Sequence, residues 1–163
     1  MELTFAPRGI LQIDDADITY RNFRGEGSLY NREGDRNFSL IIPSTEIADA
    51  LASNVNEYGV GWNVRIKPPR EEGDNPFITL KVNVKFNEYG PHIFLHTGNH
   101  VTELDEESVS CLDMIDIERV DLDISPSDRV VNGKPYRTAY VRTMHVVQKI
   151  DRFEGRYGNN NEE

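Results

Sequence analysis

Apolar and polar positions alternate most strictly in the middle of the chain. Ile78, Leu80, Val82, Val84 and Phe86 alternate with Thr79, Lys81, Asn83 and Lys85, and Trp62, Val64 and Ile66 alternate with Asn63, Arg65 and Lys67. A period of two is that of a strand with one dry face and one wet face. The same pattern marks Ile18–Phe23 and Asn37–Ile42, where Phe38, Leu40 and Ile42 share a side. These two runs enclose thirteen residues rich in Gly, Asn, Arg and acids. The spacing predicts a long hairpin with an arm over about residues 22–37.

The rest of the chain adds shorter elements. Strands are expected near Glu2–Phe5, Ile10–Ile13 and 91–97. Pro43 followed by Ser44 or Thr45 opens a helix that runs to Asn56, stopped by Gly59 and Gly61. Residues 102–114 read as a second short helix, with acids crowding its first turn. Ile115–Ile124 reads as a strand whose phase slips near Glu118–Arg119, which predicts a β-bulge. Asn132-Gly133 marks a tight turn. Arg137–Lys149 is a final strand with Tyr140, Arg142, Met144 and Val146 on one side. Seven or so strands, two short helices and no βαβ rhythm imply a mainly β fold, an elaborated OB-like antiparallel barrel. Residues 1–150 are expected to form one domain, with a flexible tail at 151–163.

Charge changes this picture more than composition does. The formal charge is −10, but residues 103–128 alone hold ten carboxylates and one arginine. The wet faces of the two central strands carry Arg65, Lys67, Lys81 and Lys85 and no acid. Association with a polyanion follows local potential over a Debye length of about 8–10 Å, so net acidity does not exclude it. Lysines on strands also serve simply to deter edge pairing. The hairpin adds Arg21, Arg24, Arg32 and Arg36, with Tyr20, Phe23 and Tyr30 among them. Cations interleaved with rings suit phosphates and unstacked bases respectively, although Tyr20 and Phe23 fall on opposite strand faces and one of them belongs to the core.

Other chemistry is thin. The lone Cys111 permits no intrachain disulfide. Asp14, Asp15 and Asp17 lack the further ligands of a hard-cation loop and read as a solvated turn. His92, His96 and His100 spread too far along a strand to share an ion, so no metal is expected. No Gly-rich phosphate loop or nucleophile elbow is present, and neither an enzyme nor a cofactor is expected. No apolar run approaches a membrane span or a signal-peptide core, which points to a soluble, cytoplasmic protein that stays in the compartment where it is made.

Several runs also carry a family likeness: Asn22-Phe23, the stretch Tyr30–Phe38, Gly61–Val64, Leu104–Glu107, Val131–Lys134 and Ala139-Tyr140. Together they resemble a group of small phage and prophage proteins similar to OB-fold phage single-stranded DNA-binding proteins, over roughly residues 18–148. The resemblance implies sequence-tolerant binding of single-stranded DNA, with RNA also open, and it admits a replication or recombination partner and a homo-oligomer. Arg21, Phe23, Arg24, Tyr30, Arg32, Arg36, Arg65, Lys67, Lys81 and Lys85 are the expected contacts. Phage single-strand binders often end in an acidic recruiting tail, whereas here only Glu162 and Glu163 close the chain. An acidic interaction protein that mimics DNA, or a virion assembly component, are the alternative readings.

Overall fold

A computed structural model describes residues 1–151 and 153. Most of the expected tail at 151–163 lies outside the described residues. The chain runs through β1 (Glu2–Phe5), β2 (Leu11–Ala16), β3 (Ile18–Asn22), β4 (Arg36–Ile41), α1 (Thr45–Ser53), β5 (Val64–Lys67), β6 (Phe77–Val84), β7 (His92–Thr97), β8 (His100–Leu104), β9 (Ile117–Val131) and β10 (Lys134–Gln148). One mainly β sheet follows the path β1-β2-β9-β10-β6-β4-β3, with β5 beside β6 and the β7–β8 pair beside β10.

The OB-like character is as expected, with two qualifications of geometry. The hydrogen-bonded path does not close on itself. Nor is every seam antiparallel, because β10 pairs in parallel with β6 at Ala139↔Val82 and with β7 from Thr143↔His92 to Val147↔His96. Strand β6 and strand β7 therefore lie in tandem along the same edge of β10. Residues 85–91 leave the sheet between them.

Alternation decides what is inside. Ile78, Leu80, Val82 and Val84 of β6 meet Phe38 and Leu40 of β4 and Leu122 and Ile124 of β9 in one continuous core. Helix α1 is capped where expected, the Ile47 amide donating to Ser44 Oγ at 3.2 Å, but it ends at Ser53. Its buried Ala48 and Leu51 cover the core.

The second expected helix is different. Residues 100–104 form β8, and only Val109–Asp113 coil, as a 3-10 turn. The amides of Glu107 and Ser108 donate to Asp105 Oδ1, so the acids serve a side-chain-capped turn and not a helix N-terminus. Strand β9 also outruns its expected end at Ile124 and continues to Val131. Pro126 looks like a strand breaker, yet the pairing with β2 stops at Ile124, which leaves β9 an edge where a missing N–H is tolerated. The phase slip was legible: Val147 faces Arg119 and Gln148 faces Ile117, so Glu118 is the extra residue. Asn132 and Gly133 both take positive φ in a two-residue turn.

The β9–β10 ribbon is tied to α1 by one buried cation. Arg137, its side chain 5% exposed, donates from Nε and Nη2 to the Asp128 carboxylate and from Nη1 to the Asn54 carbonyl at 2.8 Å. Its guanidinium lies 5.0 Å from the Trp62 ring centre. The hydrogen bond from Arg137 holds the Asp128 carboxyl below the usual carboxylate range. A carboxyl lowered in the folded state contributes stability above its unfolded value of about 3.9, and loses it as pH falls through the lower folded value. Asp128→Asn should therefore flatten the acid limb of the stability profile, measured as urea midpoints from neutral pH downward. An acid limb unchanged in the variant would show that the pair contributes nothing to it.

Candidate nucleic-acid interface

Cross-strand partners share a face, so the register shows which side chains lie together on the outer side of the sheet. Arg65 faces Thr79 and Lys67 faces Phe77 across the β5–β6 seam, which puts both cations on the side of Lys81, Asn83 and Lys85. On the other flank of β6, Asn37 and Ser39 face Asn83 and Lys81. Tyr140 sits opposite both Asn83 and Ser125, and Tyr136 opposite Arg129. No Asp or Glu occupies an outward position on β5, on β6, on β10 up to Arg142, or on β9 from Ser125 to Arg129. The acids begin at Asp123 and continue on the same outer side through Asp121, with Asp14 and Glu2 on the neighbouring strands. The sheet thus has a cationic flank and an acidic flank.

Two notches interrupt the cationic flank. Strand β5 leaves the edge of β6 before β10 joins it, and the gap of about 200 Å³ is lined by Arg65, Lys81 and Asn83. The second notch, about 380 Å³, opens where residues 85–91 swing out between β6 and β7. Lys85, Tyr89, Arg129, Tyr140 and Arg142 line it, and no carboxylate among the described residues does. Tyr89 is 85% exposed on a turn in which Asn87 Oδ1 accepts from the Tyr89 amide. None of Arg65, Lys67, Lys81, Lys85, Arg129 and Arg142 has an ion-pair partner among the described residues, whereas Arg36, Arg119 and Arg137 do.

The hairpin residues divide. Strands β3 and β4 pair as expected, but the loop between them is braced on itself. Asn31 Nδ2 donates to the carbonyls of Glu26, Arg32 and Asp35, and Gly34 donates to Gly25 at 2.8 Å. Three expected contacts are committed elsewhere. Phe23 is fully buried and stacked on Phe38 at 5.2 Å, so it has no face for a base. Arg21 donates to the carbonyls of Leu112 and Ile115 at 2.7 and 2.8 Å, holding the 3-10 turn onto β3. Arg36 pairs with Glu106 at 3.6 Å and lies over the Phe86 ring. Asp113, part of the acidic stretch, accepts from the Phe23 and Arg24 amides. Arg24, Tyr30 and Arg32 remain exposed, and Tyr20 rests edge-on against Phe77 beside Lys67.

Tyr89, Arg129, Tyr140 and Arg142 were not among the expected contacts. The expected facing of β10 placed Tyr140 and Arg142 with Met144 and Val146. A register shift between Val141 and Thr143 changes the phase, so Met144 and Val146 are buried while Arg142 turns outward.

The three histidines of residues 92–100 do not converge. His92 pairs with Glu103 at 2.9 Å, while His96 meets His145. Asp14 and Asp15 form a bulge in β2 rather than a solvated turn, the Asp15 amide donating to Asp121 Oδ1. Among the described residues no helix is long and apolar enough to cross a membrane.

The fold has solved counterparts. The single-stranded DNA-binding protein from bacteriophage Enc34 is 14% identical over 99% of each chain, with a TM-score of 0.51, a likeness of fold. The same protein in complex with single-stranded DNA matches over 91% of this chain and 92% of that one, at 12% identity and a TM-score of 0.49. No curated protein sequence matches. The profile of the family described as "Putative phage ssDNA-binding domain" matches residues 3–162. With nearly its whole length under that match, the chain belongs to this family of phage single-stranded DNA-binding domains.

Proposed function

We propose that the chain binds single-stranded DNA with little sequence preference along the cationic flank of its sheet, acting by binding rather than catalysis in the phage-infected host cytoplasm. The observation that carries this reading is the outward row Arg65, Lys67, Lys81 and Lys85, which no carboxylate among the described residues neutralises and which ends in the notch at Tyr89 and Tyr140. Lysines and arginines follow phosphates by charge, and tyrosine faces accept any base, so the combination is tolerant of sequence. Residues 1–150 supply the whole interface as one unit. Tyr30 and Arg32 extend it from the β3–β4 loop, which leaves β4 at Arg36, opposite Val84 and so next to Lys85, whereas Arg24 turns to the pocket it shares with Glu106, Glu107 and Asp113. DNA is the ligand we assign; binding to a matched RNA is a direct comparison, since only RNA adds a 2′-hydroxyl.

The test is a titration of labelled oligonucleotides, single- and double-stranded, at two ionic strengths. Neutralising about five phosphates on a single strand gives a log-log salt slope near −3.5, a loss on the order of 100-fold between about 50 and about 200 mM salt. Single-stranded DNA should bind more tightly than duplex at both. A flat salt response, or equal affinity for duplex, would overturn the proposal.

A further inference from the structure

We propose that His96 and His145 form a binding site for a borderline divalent cation, Zn²⁺ or Ni²⁺, on the outer side of the β7–β10 seam. Nε2 of His96 and Nδ1 of His145 point at each other across 2.8 Å, with ring centres 5.1 Å apart. The two residues sit on adjacent parallel strands, where Val147 faces His96 and Phe94 faces His145. Two neutral imidazoles hold this contact only by sharing one proton, the position a metal ion takes when both nitrogens present lone pairs. Zinc–nitrogen bonds of about 2.0–2.1 Å set two such ligands roughly 3–3.4 Å apart, so opening the contact by about half an ångström admits the ion.

The surroundings suit a cation. Phe94 stacks on the His145 ring at 4.8 Å and 16°, which fixes the plane of that ligand. From β9, Asp121 stands opposite His145, with its carboxylate already accepting from Arg119 and the Asp15 amide. It lends negative potential without entering the coordination sphere. Imidazole favours zinc, nickel and copper over magnesium and calcium, and two protein ligands leave the other positions to exchangeable water. His92, bound to Glu103, and the exposed His100 stay outside the site. The bound ion would clamp β7 to β10 just beyond the notch at Arg142.

The test uses the tag-free full chain and ZnCl₂, followed by long-range proton–nitrogen spectra of the four imidazoles. His96 and His145 should shift saturably at about one equivalent while His92 and His100 do not, and excess EDTA should return both to their metal-free positions. His145→Gln should weaken binding by at least about 10-fold, as expected for loss of a ligand. Shifts at all four histidines alike, no saturable change up to about 1 mM Zn²⁺, or unaltered affinity in His145→Gln would each overturn the site. None of these outcomes depends on how the chain binds DNA.

Discussion

Reversing two charges on the outer flank, Arg65→Glu with Lys81→Glu, should lower affinity for oligo-dT about a thousandfold at low salt. The two side chains line one notch, and neither has a carboxylate partner among the described residues. A cation about 4 Å from a phosphate gains about 1 kcal/mol in water, and reversal turns that gain into a similar repulsion. Two reversals thus cost about 4 kcal/mol, or about three decades. The log-log salt slope should shrink by about 0.7 for each phosphate no longer neutralised. Glu106→Lys is the control: its carboxylate faces Arg36 on the side of the 105–114 segment, and affinity should change only a few-fold. Fluorescence anisotropy across a salt series measures all three. If the control weakens binding as much as the double reversal, the strand lies elsewhere.

Phe23→Ala should do the opposite, destabilising the fold by about 3–5 kcal/mol while leaving the affinity of the folded protein unchanged. The ring is fully buried, stacked at 20° on Phe38, and follows the β3 strand directly into the core. Its loss leaves a cavity beneath the β3–β4 pair. Tyr140→Ala and Tyr89→Ala provide the contrast, since each should keep the urea midpoint nearly constant and lose about 1–3 kcal/mol of binding to oligo-dT. Urea denaturation paired with DNA titration separates the two classes. A Phe23→Ala protein of normal stability that binds poorly would place that ring at the interface after all.

These two experiments also mark what could be read from the residues and what could not. The alternation of β6 showed its dry face and its lysines directly, and the β5 pattern showed the same for Arg65 and Lys67. Local geometry decides such features, so the bulge at Glu118 and the Asn132-Gly133 turn were legible too. Choice of strand partner is not local. Nothing along the chain says that β6 and β7 both run parallel to β10, and that seam brings Lys85, Tyr89, Arg129, Tyr140 and Arg142 together. The irregularity at Arg142 reversed the expected facing of half a strand. Arginines in a loop are equally ambiguous. Arg21 and Arg24 look alike in sequence, yet one is anchored on two backbone carbonyls and the other is exposed. Residues 102–104 misled because acids near a turn resemble a helix start, and only the pairing with β7 reveals a strand.

The tandem placement of β6 and β7 has an evolutionary corollary. The seven residues from Lys85 to Pro91 begin and end on the same edge of β10, and the registers on either side are held independently. Insertions at its exposed tip, Asn87–Tyr89, leave both seams intact and leave Phe86 and Pro91 packed on either side, since lengthening a surface excursion costs little chain entropy. Phages could therefore diversify grip strength or nucleotide footprint by editing this tip alone, with the hydrophobic interior under no pressure to adapt.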